Sequence, residues 1–145
     1  MTSLLLGAAA AVVLGSSDPC VSGTNVTLDD KTYLTRYVIE TAAPAGSATV
    51  MTKDQKVTAD VLLTLEATGA VVWNSSGPFA YNFNATPRGL IVGFDVGSYG
   101  MMVGETRKLC IPYEEGYGPA GRPPSIPGGA TLLFELKCLS VGPVQ

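Results

Sequence analysis

The sequence of 145 residues contains no histidine. This removes the commonest general base and the commonest metal ligand. Lysine and arginine together number nine and are scattered along the chain, so a basic surface for nucleic acid is not expected. The one long apolar run, residues 4–14, is shorter than the roughly 20 residues that a membrane span needs. The sequence therefore argues against histidine-dependent enzymes, nucleic-acid-binding proteins and membrane-spanning proteins.

Cysteine is also scarce, and its spacing excludes two further classes. Cys20, Cys110 and Cys138 form no CxxC pair, so zinc ribbons and thioredoxin-like redox sites are excluded. Cys110 lies between two apolar residues of a predicted strand and points away from their face, whereas Cys138 shares the apolar face of its own strand. We expect that these two cysteines do not pair and that Cys138 is a core thiol. The partner of Cys20 stays open.

The amino terminus resembles a targeting segment. The apolar run at residues 4–14 is followed by Gly15, Ser16 and Ser17, which predicts a secretory signal over residues 1–17, with a buried helix as the alternative. N-glycosylation sequons begin at Asn25, Asn74 and Asn84. We therefore expect the secretory pathway, either the ER lumen or secretion. A cytoplasmic location is the alternative if residues 1–17 are not a signal.

The apolar pattern predicts many strands and one short helix. Period-two alternation is clearest at Val57–Glu66. The predicted strands are Tyr33–Glu40, Thr49–Met51, Val57–Glu66, Val71–Asn74, residues 79–83, Glu105–Ile111 and Thr131–Val141. A short helix is predicted at Arg88–Val96, with Leu90, Ile91 and Phe94 facing inward. The fold class is therefore α+β, with an antiparallel sheet wrapped on one helix.

Motifs for covalent chemistry are not convincing. Residues 116–121 match GxGxxG in letters, but the prolines that follow prevent the helix that would hold a pyrophosphate. The pair Glu114-Glu115 is expected to form a solvated turn. No candidate emerges for nucleophilic, metal or acid–base catalysis, and no cofactor or metal is expected.

A set of aromatic and aliphatic residues is the better candidate for a site. Tyr117 and Ile126 stand in a segment rich in proline and glycine, and Trp73 adjoins a polar turn, which are unusual places for core residues. Apolar groups on loops favour a binding site over ordinary core. The whole set comprises Trp73, Phe79, Ile91, Phe94, Tyr117, Ile126 and Phe134.

Five motifs in register carry a resemblance. The stretches at 72–76 (VWNSS), 78–81 (PFAY), 90–97 (LIVGFDVG), 102–105 (MVGE) and 117–135, with YG and IPGGATLLFE, resemble V-F-D-S-S, P-F-x-F, V-I-x-G-W-x-x-G, M-x-V-G-E and Y-G…I-P-P-N-A-T-L-x-F. These are motifs of FKBP-type peptidyl-prolyl isomerases. The resemblance covers about residues 37–142, which leaves 18–36 as an N-terminal extension. It implies a twisted antiparallel half-barrel wrapped around a short helix.

The resemblance also implies a pocket. Its floor would be Phe94, where tryptophan is usual, and in the family a backbone N–H at Ile91 and a hydroxyl at Tyr117 hold carbonyl groups. The residues implied in catalysis are Trp73, Asn74, Phe94, Tyr117 and Phe134. The residues implied in substrate binding are Leu63, Phe79, Leu90, Ile91, Arg122 and Ile126. Leu63 stands where tyrosine is usual, Asn74 where aspartate is usual, and Arg122 where the family varies.

The function implied is peptidyl-prolyl cis-trans isomerisation in protein folding, by stabilisation of a twisted X–Pro amide in an apolar pocket. The expected partners are proline-containing polypeptides and tacrolimus- or rapamycin-type macrolides, and the chain is expected to be a monomer. Because Leu63 and Asn74 remove a hydroxyl and a charge from one wall, the alternative is a weakly active or inactive module that binds proline-containing partners or macrolides.

Overall fold

The computed structural model describes residues 12–13 and 18–144. Its strands are β1 (Val12–Val13), β2 (Thr24–Leu28), β3 (Lys31–Ala42), β4 (Gln55–Leu65), β5 (Val71–Asn74), β6 (Phe79–Asn82), β7 (Thr106–Ile111) and β8 (Leu132–Val144); its helices are α1 (Pro19–Ser22) and α2 (Val92–Gly97). A 3-10 turn lies at Tyr113–Glu115. The predicted signal at residues 1–17 lies outside the described residues, apart from β1.

The strands form one antiparallel sheet in the order β1-β3-β7-β8-β4-β5. Two further strands share edges with longer ones: β2 pairs with β3, and β6 pairs with β4. Register shifts interrupt the pairing of β3 with β7 and of β4 with β8, which is how a sheet bends and increases its twist. The predicted α+β fold, a curved antiparallel sheet around a short helix, is confirmed.

Period-two alternation places the core on one face of the sheet. In β4 the residues at odd positions from Val57 to Leu65 are buried, and in β8 Leu132, Leu136 and Cys138 are buried on the same side. Burial of a leucine or valine side chain contributes about 1.5–3 kcal/mol, so these two paired strands supply much of the core.

Helix α2 packs closely on this face because it carries glycine at the contact points. A Cβ on Gly93 would lie 2.4 Å from Ile111 and 2.6 Å from Thr35, and a Cβ on Gly97 would lie 2.7 Å from Leu109. Residues four apart share one side of a helix. These two glycines therefore bring the helix backbone onto β3 and β7.

The buried Arg107 fixes the carboxyl end of α2. Its Nη1 donates to the carbonyl oxygens of Gly97 and Tyr99 at 3.1 and 2.8 Å, and its Nε lies 2.5 Å from Glu105 Oε2. The guanidinium also lies 4.4 Å from the centre of the Tyr37 ring. A cation at a helix carboxyl end is favourable, and the carboxylate compensates its burial.

Three local predictions are wrong. The helix spans Val92–Gly97 rather than Arg88–Val96, because Arg88 bonds to Asp95 across the turn and Gly89 is a poor helix former, so Leu90 and Ile91 precede the helix. Residues 49–51 form only one bridge, Thr49 to Met102. Thr24–Leu28, for which no strand was predicted, forms β2, in which only Val26 and Leu28 are buried.

The cysteine predictions are confirmed. Cys138 is buried and free, and it does not pair with Cys110. Cys110 instead forms a disulfide with Cys20, at a Cα–Cα distance of 5.2 Å. Residues 18–36, predicted to be an extension, contain α1, and their strand β2 and the start of β3 belong to the same sheet.

Candidate functional site

A cavity of about 730 Å³ opens between the start of α2, the sheet and the loop that precedes β8. The residues that line it are Leu63, Val72, Trp73, Phe79, Arg88, Gly89, Leu90, Ile91, Phe94, Tyr117, Arg122, Ser125, Ile126 and Phe134. A cavity of this size, lined mainly by apolar side chains with a few polar groups, is typical of a ligand site.

Four aromatic rings form the base and one wall of the cavity. Phe94, on α2, packs edge-on against Phe134 of β8 at 5.1 Å and against Phe79 of β6 at 6.2 Å between ring centres. Trp73 of β5 packs edge-on against Phe79 at 5.1 Å. Such edge-to-face contacts each add about 0.5–1.5 kcal/mol and fix the ring orientations. The apolar surface is therefore preformed.

The opposite lip is a loop that its glycines and hydrogen bonds hold in place. Ile126 is buried, and its backbone exchanges two hydrogen bonds with Arg122, at 2.8 and 3.0 Å. Gly121, between Tyr117 and this pair, has φ of +68°, and a Cβ there would lie 2.4 Å from the carbonyl oxygen of Ile126. Only glycine fits this position. The loop thus presents Tyr117 and Ile126 to the cavity with little freedom.

Two polar groups at the cavity are free to donate hydrogen bonds. The backbone N–H of Ile91, just before α2, and the Tyr117 hydroxyl have no acceptor within the described part of the chain. Both belong to residues that line the cavity and are partly exposed. Each can donate to a carbonyl group of a ligand that occupies the cavity.

Arg88 closes one side of the cavity through a bond to the helix. Its Nε lies 2.8 Å from Oδ2 of Asp95, which is buried, and its Nη2 lies 3.1 Å from Asn84 Oδ1. Asp95 Oδ1 also accepts from the backbone N–H of Asn84 at 2.7 Å. The bonds fix the turn that carries Leu90 and Ile91.

The cavity brings together ten of the eleven residues predicted for the site, and Asn74 is the exception. Asn74 is exposed, and its Oδ1 accepts from the backbone N–H of Ser76 at 3.2 Å. The individual roles of all eleven in binding and catalysis stay predictions.

Four lining residues were not predicted: Val72, Arg88, Gly89 and Ser125. Val72 and Ser125 adjoin predicted residues in the sequence, so chain proximity could have suggested them. Arg88 reaches the cavity because of its bond to Asp95, seven residues away, and no local sequence pattern indicates that bond.

The prediction that Glu114-Glu115 forms a solvated turn is wrong for Glu115. Its carboxylate accepts hydrogen bonds from β3.

Other classes of site find no support among the described residues. They contain no group of three or more histidine, cysteine, aspartate or glutamate side chains that could hold a metal ion. None of the helices in ranges 12–13 and 18–144 is long and apolar enough to cross a membrane.

Comparisons with known proteins agree with one another. The family profile described as FKBP-type peptidyl-prolyl cis-trans isomerase matches residues 47–139. A human protein named peptidyl-prolyl cis-trans isomerase FKBP2 is 50% identical over 64 residues, 44% of this chain and 44% of that protein. An Arabidopsis thaliana protein, peptidyl-prolyl cis-trans isomerase FKBP15-2, is 44% identical over 78 residues, 51% of this chain and 47% of that protein.

The crystal structure of FkpA from Escherichia coli has a similar fold. It superposes with a TM-score of 0.64 at 29% identity, over 77% of this chain and 49% of the FkpA chain. The chain thus matches less than half the length of these relatives and of this structure.

Proposed function

The chain belongs to the family of FKBP-type peptidyl-prolyl cis-trans isomerases, and on that premise we propose that its aromatic cavity catalyses rotation about X–Pro peptide bonds. The observation that carries the proposal is the cavity between Phe94 and Tyr117, with preformed apolar walls and two free donors at its edge. Proline-containing polypeptides are the proposed substrates, and tacrolimus-type macrolides are proposed to compete for the same cavity.

The chemistry asks for no nucleophile. Rotation about the amide crosses a barrier of about 18–20 kcal/mol without making or breaking a covalent bond. The planar amide is more polar than the twisted one, so a dry aromatic cavity disfavours the ground state relative to the transition state. We propose that Phe94, Phe79 and Phe134 supply that environment and that the Ile91 N–H and Tyr117 hydroxyl hold carbonyl groups of the substrate.

The direct test is isomerase activity on a proline tetrapeptide, with and without a macrolide. We expect turnover faster than the uncatalysed exchange, which takes tens to hundreds of seconds, and competitive loss with the macrolide. Tyr117→Phe removes the one lining hydroxyl that we place at the substrate carbonyl and should lower kcat/KM. Tyr113→Phe is the matched control, because Tyr113 is exposed outside the cavity. Turnover at the uncatalysed rate would refute the enzymatic proposal.

A second candidate is a binding module with little turnover. It is favoured by the wall at Leu63, which is 3% exposed and offers no hydroxyl, and by the position of Asn74 outside the lining. Trp73 is the only tryptophan and lines the cavity, so its fluorescence reports occupancy. A macrolide that changes this fluorescence without any measurable isomerase activity would support the binding module over the enzyme.

Leu63→Tyr tests the same wall directly. Leu63 lines the cavity, so a tyrosine hydroxyl there would be added to this wall, and we expect kcat/KM to rise by up to about tenfold, or about 1.4 kcal/mol. The protease-coupled proline assay compares the variant with the unaltered chain after urea unfolding has shown both to be folded. Equal rates would mean that this wall does not limit catalysis.

We propose that the chain works in the secretory pathway as a monomer. The disulfide between Cys20 and Cys110 supports an oxidising compartment, because such bonds rarely persist in the cytosol. Intact mass of the protein purified from its native cell is the test. It shows whether residues 1–17 are removed and whether Asn25, Asn74 or Asn84 carries a glycan, while gel filtration shows the oligomeric state.

A further inference from the structure

The lining of the cavity carries positive charge only. Arg88 and Arg122 are its two side chains with a full charge at neutral pH, and no aspartate or glutamate lines it. The whole chain has a net charge of −3, so its overall field does not attract anions. Any preference for an acidic ligand must come from these two arginines.

Arg88 is already neutralised. Its guanidinium pairs with the carboxylate of Asp95 at 2.8 Å. The side chain of Asp95 is 2% exposed, so solvent does not compete for this carboxylate. The pair contributes little net field beyond a few ångströms because its charges cancel.

Arg122 is exposed and has no carboxylate within 4.0 Å in the part of the chain that the structure describes. Its guanidinium lies 5.8 Å from the centre of the Tyr117 ring, a cation–π contact that leaves its donors open. Its backbone is fixed to Ile126 by two hydrogen bonds. The charge is therefore held beside two residues that we place against the substrate.

We infer that Arg122 makes the cavity prefer proline segments in which an aspartate or glutamate lies next to the proline. The inference rests on the proposed function and names its substrate class. Arg122 acts on the side chain next to the proline, not on the rotating amide, and so sets specificity. An exposed pair of this kind contributes modestly, and the expected preference for glutamate over glutamine is about two- to fivefold in kcat/KM.

The experiment uses matched tetrapeptides that differ only in one residue, glutamate, glutamine or lysine. One set varies the residue before proline and a second set varies the residue after it. Exchange measured by NMR without a coupling protease avoids the specificity of the protease itself. The order expected in at least one set is glutamate, glutamine, lysine. The ratio should shrink when ionic strength rises from about 0.01 M to about 1 M, where the Debye length falls from about 30 Å to about 3 Å.

Variants separate Arg122 from general charge. Arg122→Gln should bring the ratio close to one, Arg122→Glu should reverse it, and Arg122→Lys should keep most of it. Lys137→Gln changes the net charge by the same amount at an exposed position of β8 outside the cavity, and should leave the ratio unchanged.

The outcomes are distinguishable from failure of the proposed function. Turnover of the glutamine peptides with no preference in either set, or a preference that survives Arg122→Gln, overturns the inference and leaves the isomerase standing. If no peptide is turned over, titration of Trp73 fluorescence with the same peptides gives the binding ratio instead. Equal binding of the glutamate and glutamine peptides then overturns the inference, and tighter glutamate binding that Arg122→Gln abolishes supports it.

Discussion

Tyr81 carries a hydroxyl with no hydrogen-bond partner in the described part of the chain, although the residue is buried. The ring of Tyr81 packs edge-on against Phe94 at 5.2 Å. The hydroxyl of Ser98 does not donate to Tyr81, because it donates to the carbonyl oxygen of Asp95 at 2.8 Å. Burial raises the pKa of the Tyr81 hydroxyl far above its ordinary value, so the group is neutral at all physiological pH values. The ring contributes packing, and the hydroxyl brings a desolvation cost.

Tyr81→Phe should therefore leave the free energy of unfolding unchanged or raise it by about 1 kcal/mol, because it removes an unsatisfied buried hydroxyl and keeps the ring. Urea unfolding followed by fluorescence measures the change. Tyr99→Phe removes a hydroxyl from a partly exposed ring stacked on Phe83 and serves as the control, with an expected change within about 0.5 kcal/mol. A loss above about 1 kcal/mol in Tyr81→Phe would show that its hydroxyl has a stabilising partner.

Cys138 makes stability depend on alkaline pH. Burial, and after it the nearby carboxylate of Glu105, raises the pKa of the thiol from 9.0 to about 11. The unfolded chain loses this proton at lower pH than the folded one, so the stabilisation is complete below about pH 9 and is lost as pH rises toward 11. The expected slope in this window is about −1.4 kcal/mol per pH unit.

Cys138→Ala should reduce that slope while lowering stability at neutral pH through lost packing. Chemical unfolding at several pH values between about 8 and 11 measures both. Identical slopes in the two proteins would show that the thiol titrates alike in the folded and unfolded states.

At the scale of elements, Glu115 replaces a missing strand partner. Its carboxylate accepts from the backbone N–H of Leu34 at 2.7 Å, and from the N–H and hydroxyl of Thr35 at 2.9 and 2.6 Å. The pairing of β3 with β7 begins only at Arg36, so these N–H groups lie beyond the end of that ladder. The 3-10 turn is thereby bound to β3.

Glu115→Ala should cost about 2–3 kcal/mol of unfolding free energy, because Thr35 is buried and its N–H and hydroxyl would lose their acceptor. Glu114 is the matched control: it is adjacent, acidic and exposed, and Glu114→Ala should stay within about 0.5 kcal/mol. Thermal or urea unfolding of both variants measures the difference. Equal effects would mean that solvent satisfies the β3 donors as well as Glu115 does.

Glu114 and Glu115 also show which contacts cannot be predicted from the sequence. Val57–Glu66 and Thr131–Val141 are readable because their apolar alternation is local, and the structure places strands over nearly the same residues. The partners of Glu115 are 80 and 81 residues away, and two adjacent glutamates carry no sign of them. The start of α2 was also predicted wrongly, because the bond between Arg88 and Asp95 joins residues seven apart and no local pattern indicates it.

The cavity residues were predictable to a greater extent. Tyr117 and Ile126 stand out because core residues are rare in a loop rich in proline and glycine. The family motifs predicted the other cavity residues. Ring packing around Phe94 could not be read from the sequence, nor could the place of Asn74 outside the lining. Motif position gives the neighbourhood of a side chain, but its direction depends on the turn that follows.

At the scale of the whole molecule, the disulfide joins the amino-terminal segment to β7, on the face of the sheet opposite the core. Cys20 in α1 bonds to Cys110 in β7 across 90 residues of sequence. The attachment is reinforced by Arg36, whose Nη1 donates to the carbonyl oxygen of Cys20 at 3.0 Å. Closing so long a loop lowers the entropy of the unfolded chain and is worth about 4–5 kcal/mol in the chain-entropy account.

Replacing both cysteines, Cys20→Ala with Cys110→Ala, should lower the unfolding free energy by about 3–5 kcal/mol. A reducing agent should cause a similar loss in the unaltered chain and none in the double variant, because Cys138 is not in a disulfide. Cys110 points away from Leu109 and Ile111, which form the core face of β7, so the cavity does not depend on the bond. Peptide turnover by the variant, measured at a temperature where it is folded, should therefore equal that of the unaltered chain. A loss of turnover in a variant that stays folded would show that the disulfide influences the geometry of the cavity.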